Sequence, residues 1–240
     1  MLYNTIPTVF TLLLFVGSFS IKSTIKDNTQ SKTYSLKSNP HSNDALAVAY
    51  NSLRGAGKEL PAMESFAEAF AAYSSLKEKG AIEKEFLTIV DFSLSANTKR
   101  LWVIDMVTKE VKFHSLVSHG RNTGEEFATS FSNQAESYKS SLGLYVTAEV
   151  YSGKHGLSLK LDGLEKGVND HARARGIVMH AADYVSESFI KNNHRLGRSQ
   201  GCPAVPVEVS KEIINLIKGK SCFFIYHPSH SKVAVEKLMS

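Results

Sequence analysis

The chain is 240 residues long, 42% hydrophobic and 21% charged, with 28 Lys and Arg against 23 Asp and Glu. That length suits one domain of ordinary size plus extensions, and the composition excludes wholesale disorder. The formal charge of +5 is scattered along the chain with no sustained basic run, so nucleic acid is not an expected partner. A mild positive balance suits an anionic polymer without demanding one.

Residues 8–16 are a short apolar core followed by the small residues Gly17, Ser18 and Ser20. That is the size of a signal-peptide apolar region and is short for a membrane span. Residues 1–22 are therefore read as a signal peptide or an uncleaved N-terminal anchor, although no Lys or Arg precedes the apolar run. Export to the periplasm or cell envelope is expected, with no integral membrane span if the signal is cleaved. Residues 23–42, rich in Ser, Thr, Lys and Asn, read as a polar linker.

Residues 43–80 read as a helical hairpin. Leu46, Ala49, Tyr50 and Leu53 recur at helical spacing before Gly55; Pro61 then opens a second helix carrying Phe66, Phe70, Tyr73 and Leu76, with Gly80 beyond its end. A hairpin of that size must pack on something larger to be stable. The periodicity then changes to that of strands, predicted over 86–92, 100–105, 111–117, 142–150, 157–161, 176–180 and 222–226. A short helix is expected over 183–190, and a firmer one runs from Pro206 to Gly219, lined by Val209, Ile213, Ile214, Leu216 and Ile217. The fold class is thus α+β, mainly β, with one β-rich domain over 84–230 and a tail at 231–240.

The chemistry gathers around Gly197-Arg198-Ser199-Gln200-Gly201-Cys202-Pro203. Cys202 follows a glycine in a turn, and His180 lies upstream at the end of a predicted strand. A thiol attacks carbonyls as thiolate, and an adjacent imidazole can take its proton. The glycine would let the backbone N–H groups of Gly201 and Cys202 approach a developing oxyanion. A cysteine beside a turn is also an ordinary structural residue, so the pair alone does not decide the matter. The second cysteine, Cys222, sits in the apolar run Cys222-Phe223-Phe224-Ile225-Tyr226, as a small buried hydrophobe would. Two unpaired thiols are favoured over a disulfide, which sequence leaves open.

A longer pattern surrounds this pair. It comprises Val117-Ser118-His119-Gly120-Arg121-Asn122-Thr123-Gly124, Phe131-Ser132-Asn133, Ser140-Ser141-Leu142-Gly143-Leu144-Tyr145, Tyr151-Ser152-Gly153-Lys154-His155-Gly156 and Ala174-Arg175-Gly176-Ile177-Val178-Met179-His180. In that order, from about residue 86 to 228, the chain resembles the murein L,D-transpeptidase catalytic domain family. The wider family has His-Gly and then Ser-His-Gly-Cys followed by an arginine two positions on. Here Ala181, Gln200 and Ala204 stand at the departing positions, and Arg198 or Arg195 is the candidate replacement for the missing charge.

The resemblance implies a peptidoglycan enzyme. Cys202 would attack the third-residue carbonyl of a stem peptide, releasing D-Ala and leaving a thioester. His180 would act as general base and then acid, oriented by the Ala181 carbonyl. An amine from a second stem would give a 3–3 cross-link, whereas water would make the enzyme an L,D-carboxypeptidase. Ser199, Arg198, Arg175 and Tyr145 are candidates for substrate binding or loop support, and His119 and His155 for structural or groove-lining roles. No cofactor is expected. Zinc chemistry is a competitor, since the chain has nine histidines, but it lacks a His-Glu-x-x-His segment. A non-catalytic wall-binding module is the alternative from another class.

Overall fold

The computed structural model describes residues 40–230, with side chains from residue 44. The segment expected to be a signal or anchor, most of the expected linker and the expected 231–240 tail lie outside them. The hairpin consists of α1 (Pro40–Asn51), which begins inside the expected linker, and α2 (Met63–Glu78). Phe66, Ala69, Ala72, Tyr73 and Leu76 recur every three or four residues in α2 and are all buried. The two helices meet where the Tyr50 ring sets its edge against Phe66, 5.3 Å between centroids, and the Tyr50 hydroxyl donates to the Pro61 carbonyl at 2.8 Å. Gly80, at φ +62, carries the chain out of α2 in the left-handed region.

Eight strands follow: β1 (Phe86–Asp91), β2 (Leu101–Asp105), β3 (Glu110–Ser115), β4 (Gly143–Gly153), β5 (Gly156–Gly163), β6 (Val178–Ala181), β7 (Ala204–Val205) and β8 (Cys222–Tyr226). They form one mixed sheet in the order β3-β2-β1-β8-β4-β5-β6-β7. The pairs β1/β8 and β6/β7 are parallel and the others antiparallel. With two further helices, α3 (Glu187–Asn193) and α4 (Val207–Ile217), the architecture is mainly β with four helices.

Both faces of the sheet are covered, and β8 shows how. Its apolar run alternates, with Cys222, Phe224 and Tyr226 packing on the α2 side and Phe223 and Ile225 on the other, with α4. Ile213, Ile214 and Ile217 of α4 are buried there beside Val90, Leu101 and Val103. The hairpin is therefore part of the sheet's core rather than a separate body. The Trp102 indole N–H donates to the Glu59 carbonyl at 2.9 Å, and Arg54 forms a bridge with Glu110, tying the linker after α1 to β2 and β3.

Three differences from the expected elements have local causes. The short helix begins at Glu187, because the Ser186 hydroxyl accepts the Phe189 N–H and caps it there. Strand β6 starts at Val178, after Gly176 turns at φ +67. Strand β7, two residues long, has no sequence signal and exists by pairing with β6, where His180 faces Ala204 and Ala181 faces Val205. That pairing brings the Cys202 turn to the end of the strand carrying His180.

Candidate active site

The turn before β7 is built by small side chains. The Ser199 hydroxyl donates to the Cys202 carbonyl at 2.6 Å and accepts the Gly201 N–H at 3.0 Å. Gly201 sits at φ +120, and a Cβ there would lie 2.8 Å from the Lys139 carbonyl oxygen. Its own carbonyl accepts from the Ser140 hydroxyl at 3.1 Å, and that hydroxyl accepts the Gly120 N–H at 3.0 Å. A Cβ on Gly120 would lie 2.9 Å from the Gly201 Cα, so two backbone segments cross at a distance only glycine permits.

His119 supports this crossing from inside. Arg100, fully buried, donates from Nη2 to His119 Nδ1 at 2.8 Å, so Nδ1 must be the acceptor and Nε2 carries the proton donated to the Gly124 carbonyl at 3.2 Å. Burial, reinforced by the Arg100 charge, holds this imidazole down to about 4, neutral across the physiological range. The role of His119 is structural.

Cys202 and His180 open on one cavity of ≈ 530 Å³. The half-buried Cys202 thiol points at the Gly176 carbonyl, 3.7 Å away. Burial pushes it above its ordinary value, opposed by the Val178 N–H and then by the charges of Arg175 and Lys154. His180 is buried, and its Nδ1 lies 2.8 Å from the Ala181 carbonyl. A carbonyl only accepts, so Nδ1 carries the proton and Nε2 keeps a free lone pair. Burial lowers this imidazole below its usual range; the bond to Ala181 works against the shift, and His155 and Lys154 add to it. The His155 ring lies nearly parallel to that of His180, 4.3 Å between centroids, from the exposed β4–β5 turn.

The other candidates divide. Ser199 lines the cavity and supports the turn through the two bonds described. Gly201 does not present a free oxyanion donor, because its N–H is already donated to Ser199; the Cys202 N–H makes no hydrogen bond among the described residues. Arg198 lines the cavity, but its Nη1 donates to the Arg121 and Gly124 carbonyls and pairs with Glu125 at 2.7 Å. Arg195 pairs with the same carboxylate at 3.1 Å and does not line this cavity. Arg175 lines it with both terminal nitrogens bonded to protein oxygens. Tyr145 is no groove residue: it is fully buried, and its hydroxyl donates to the Ser141 carbonyl at 3.0 Å, because its position on β4 faces the α4-side core.

Sequence reasoning missed Tyr184, Glu136 and Tyr138, all of which line the cavity. Glu136 and Tyr138 take φ of +56 and +53, and the Arg121 guanidinium stacks 3.9 Å from the Tyr138 ring centroid. Nothing in their sequence neighbourhood marks them, since non-glycine left-handed residues carry no reliable signature. Both cysteines are free, and Cys222 packs among the α2-side residues, whereas Cys202 packs against the opposite core. Among the described residues, no group of three His, Cys, Asp or Glu side chains is set to hold a metal ion, and no helix is long and apolar enough to cross a membrane.

The sequence family described as L,D-transpeptidase catalytic domain matches residues 58–226. No curated protein sequence matches. Among solved structures, similarity extends to an L,D-transpeptidase from Mycobacterium smegmatis, at 12% identity over 60% of this chain and 59% of that one, TM-score 0.39. Bd1075 from Bdellovibrio bacteriovorus matches at 19% identity over 66% and 54%, TM-score 0.39. An L,D-transpeptidase from Stackebrandtia nassauensis matches at 12% identity over 78% and 91%, TM-score 0.37. The chain thus spans under two thirds of the length of the first two.

Proposed function

The chain belongs to the L,D-transpeptidase catalytic domain family, and on that footing we propose that it is a cysteine L,D-transpeptidase acting on peptidoglycan stem peptides outside the cytoplasmic membrane. The observation that carries this reading is the opening of Cys202 and His180 on one cavity, with His180 Nδ1 bonded to the Ala181 carbonyl and Nε2 left as a base. His180 Nε2 takes the Cys202 proton, and the sulfur attacks the third-residue carbonyl of the donor stem. The C–N bond to D-Ala breaks, the leaving amine takes the proton from His180, and a thioester remains. An acceptor amine then attacks the thioester carbonyl, giving a proton to His180, and the C–S bond breaks as that proton returns to the sulfur, which leaves the 3–3 link and the free thiol. The Cys202 N–H is the turn's remaining donor for the oxyanion, and loss of one such donor costs about 3–4 kcal/mol of transition-state stabilisation.

Hydrolysis of the same thioester by water is the second outcome, since the acceptor amine must reach it first. Incubation with a disaccharide-tetrapeptide, followed by mass spectrometry, separates the two. A cross-linked dimer identifies transpeptidation, and tripeptide alone identifies carboxypeptidase activity. Iodoacetamide should abolish either reaction and a chelator neither; loss with the chelator alone would sink the cysteine mechanism. No turnover at all would leave a wall-binding module.

A further inference from the structure

Arg175 stands just before β6, in the turn that ends at Gly176. Its Nη1 donates to the Ser132 carbonyl at 2.8 Å and the Ser141 hydroxyl at 2.6 Å. Its Nη2 donates to the Lys139 carbonyl at 2.6 Å and the Ser137 hydroxyl at 3.2 Å. Both terminal nitrogens therefore have their hydrogens committed, which leaves no two-pronged fork to receive a carboxylate from the substrate. All four acceptors are neutral, so the half-buried cation is fixed in place without being neutralised.

Its position is closely defined. A Cβ on Gly201 would lie 3.4 Å from Arg175 Nη2, so the guanidinium sits directly behind the residue preceding Cys202. The groups whose negative forms act on Arg175 are Tyr145 and Cys202. Tyr145, fully buried, is held far above its ordinary value by that burial and stays neutral. The anion that can form beside the guanidinium is then the Cys202 thiolate. Around the same cavity the other charged or titratable groups are Glu136, Tyr138, Tyr151, Lys154, His155, His180, Tyr184 and Arg198. Of the cations there, Arg198 is already paired with Glu125.

We propose that Arg175 is the counter-charge of the Cys202 thiolate, a positioning residue that holds a fixed cation behind the nucleophile turn and favours loss of the thiol proton to His180. In the resting state the half-buried cation has no anionic partner among its hydrogen bonds; proton transfer from sulfur to His180 Nε2 supplies one, so ionisation at Cys202 is favoured by a charge already oriented. This role fills, from the strand side, the place left by the absence of an arginine after Cys202. The proposal rests on Cys202 being the nucleophile, but thiol ionisation can be read without any turnover.

The test is the pH dependence of iodoacetamide alkylation at Cys202, followed by peptide mass mapping in the full chain. For Arg175→Gln, the midpoint is expected to rise by about one unit or more, roughly tenfold less thiolate at a given pH. Arg175→Lys, which keeps a charge, is expected to fall between that variant and wild type. Ser137→Asp keeps the guanidinium but gives it a carboxylate partner, and should also raise the midpoint. A purely structural Arg175 would lower the melting temperature of its own variants and leave all midpoints at the wild-type value, which would overturn the proposal. If Arg175→Gln fails to fold, Ser137→Asp decides alone: an unchanged midpoint overturns it. Shifted midpoints without stem-peptide turnover would uphold the counter-charge and reject the transpeptidase reading.

Discussion

Two thiols with opposite surroundings give the sharpest contrast between single residues. Cys202→Ala is expected to fold as wild type and to form no thioester, measured by intact mass after incubation with donor stem peptide. Cys222 is fully buried in β8, and burial pushes its thiol well above the ordinary range. Cys222→Ala should retain turnover while losing about 1 kcal/mol of stability in denaturant titration, since one buried sulfur is removed. A silent active site in that variant with an intact fold would reverse the two assignments. The pH profile follows from the directions of the shifts. With the His180 imidazole held below its ordinary 6.5 and the Cys202 thiol above its ordinary 9.0, the neutral pair spans neutral pH. Acylation should therefore lose rate only below about pH 6.5, as His180 takes a proton. An acid limb above pH 7 would show that His180 is not the base.

Elements differ in how far their residues betray them. In α2 and α4 the apolar period alone marks the helices, because each lays one stripe on the sheet. Phe66 is fully buried between α1 and the sheet, so Phe66→Ala should cost about 3–5 kcal/mol by thermal or chemical melting. A loss below about 1 kcal/mol would mean that the hairpin is not part of the core. The β4–β5 turn behaves differently. It and the strand ends beside it, residues 151–156, are exposed, yet His155 lays its ring on His180. His155→Ala should therefore leave the melting temperature close to wild type and slow acylation, about tenfold, by loosening the base. Equal rates would reduce the stack to a surface contact. Strand β7 is the opposite extreme, two residues made a strand by their neighbours, β6 on one side and the Ser118 bridge to Ala204 on the other.

At the scale of the whole molecule, His230 closes the described chain back onto its core. Its Nε2 lies 2.8 Å from Glu165, and its Nδ1 3.7 Å from Glu68 of α2. Burial acts to lower this imidazole, but the hydrogen bond to Glu165 and the nearby Glu68 carboxylate outweigh it and raise it to about 9. A folded-state value above the unfolded one stabilises fully below about pH 6.5, and that contribution fades as pH rises through about 9. Stability should therefore fall across that window, by on the order of 3 kcal/mol and with it the melting temperature, and His230→Gln should flatten the fall. A variant with the wild-type slope would place the alkaline transition elsewhere. Sequence by itself determined the mainly β class, the two helices of the hairpin and the family resemblance, and it singled out Cys202 and His180, which the structure opens on one cavity, because periodicity and motif order are local properties of the chain. The tertiary structure alone decided that the Gly201 N–H is spent on Ser199, that Tyr145 lies in the core, and that Tyr184, Tyr138 and Glu136 line the cavity. It also decided which arginine stands behind the Gly201–Cys202 turn. Those facts depend on segments far apart in sequence crossing at the Gly120–Gly201 contact, and no local pattern encodes which neighbour a side chain meets there.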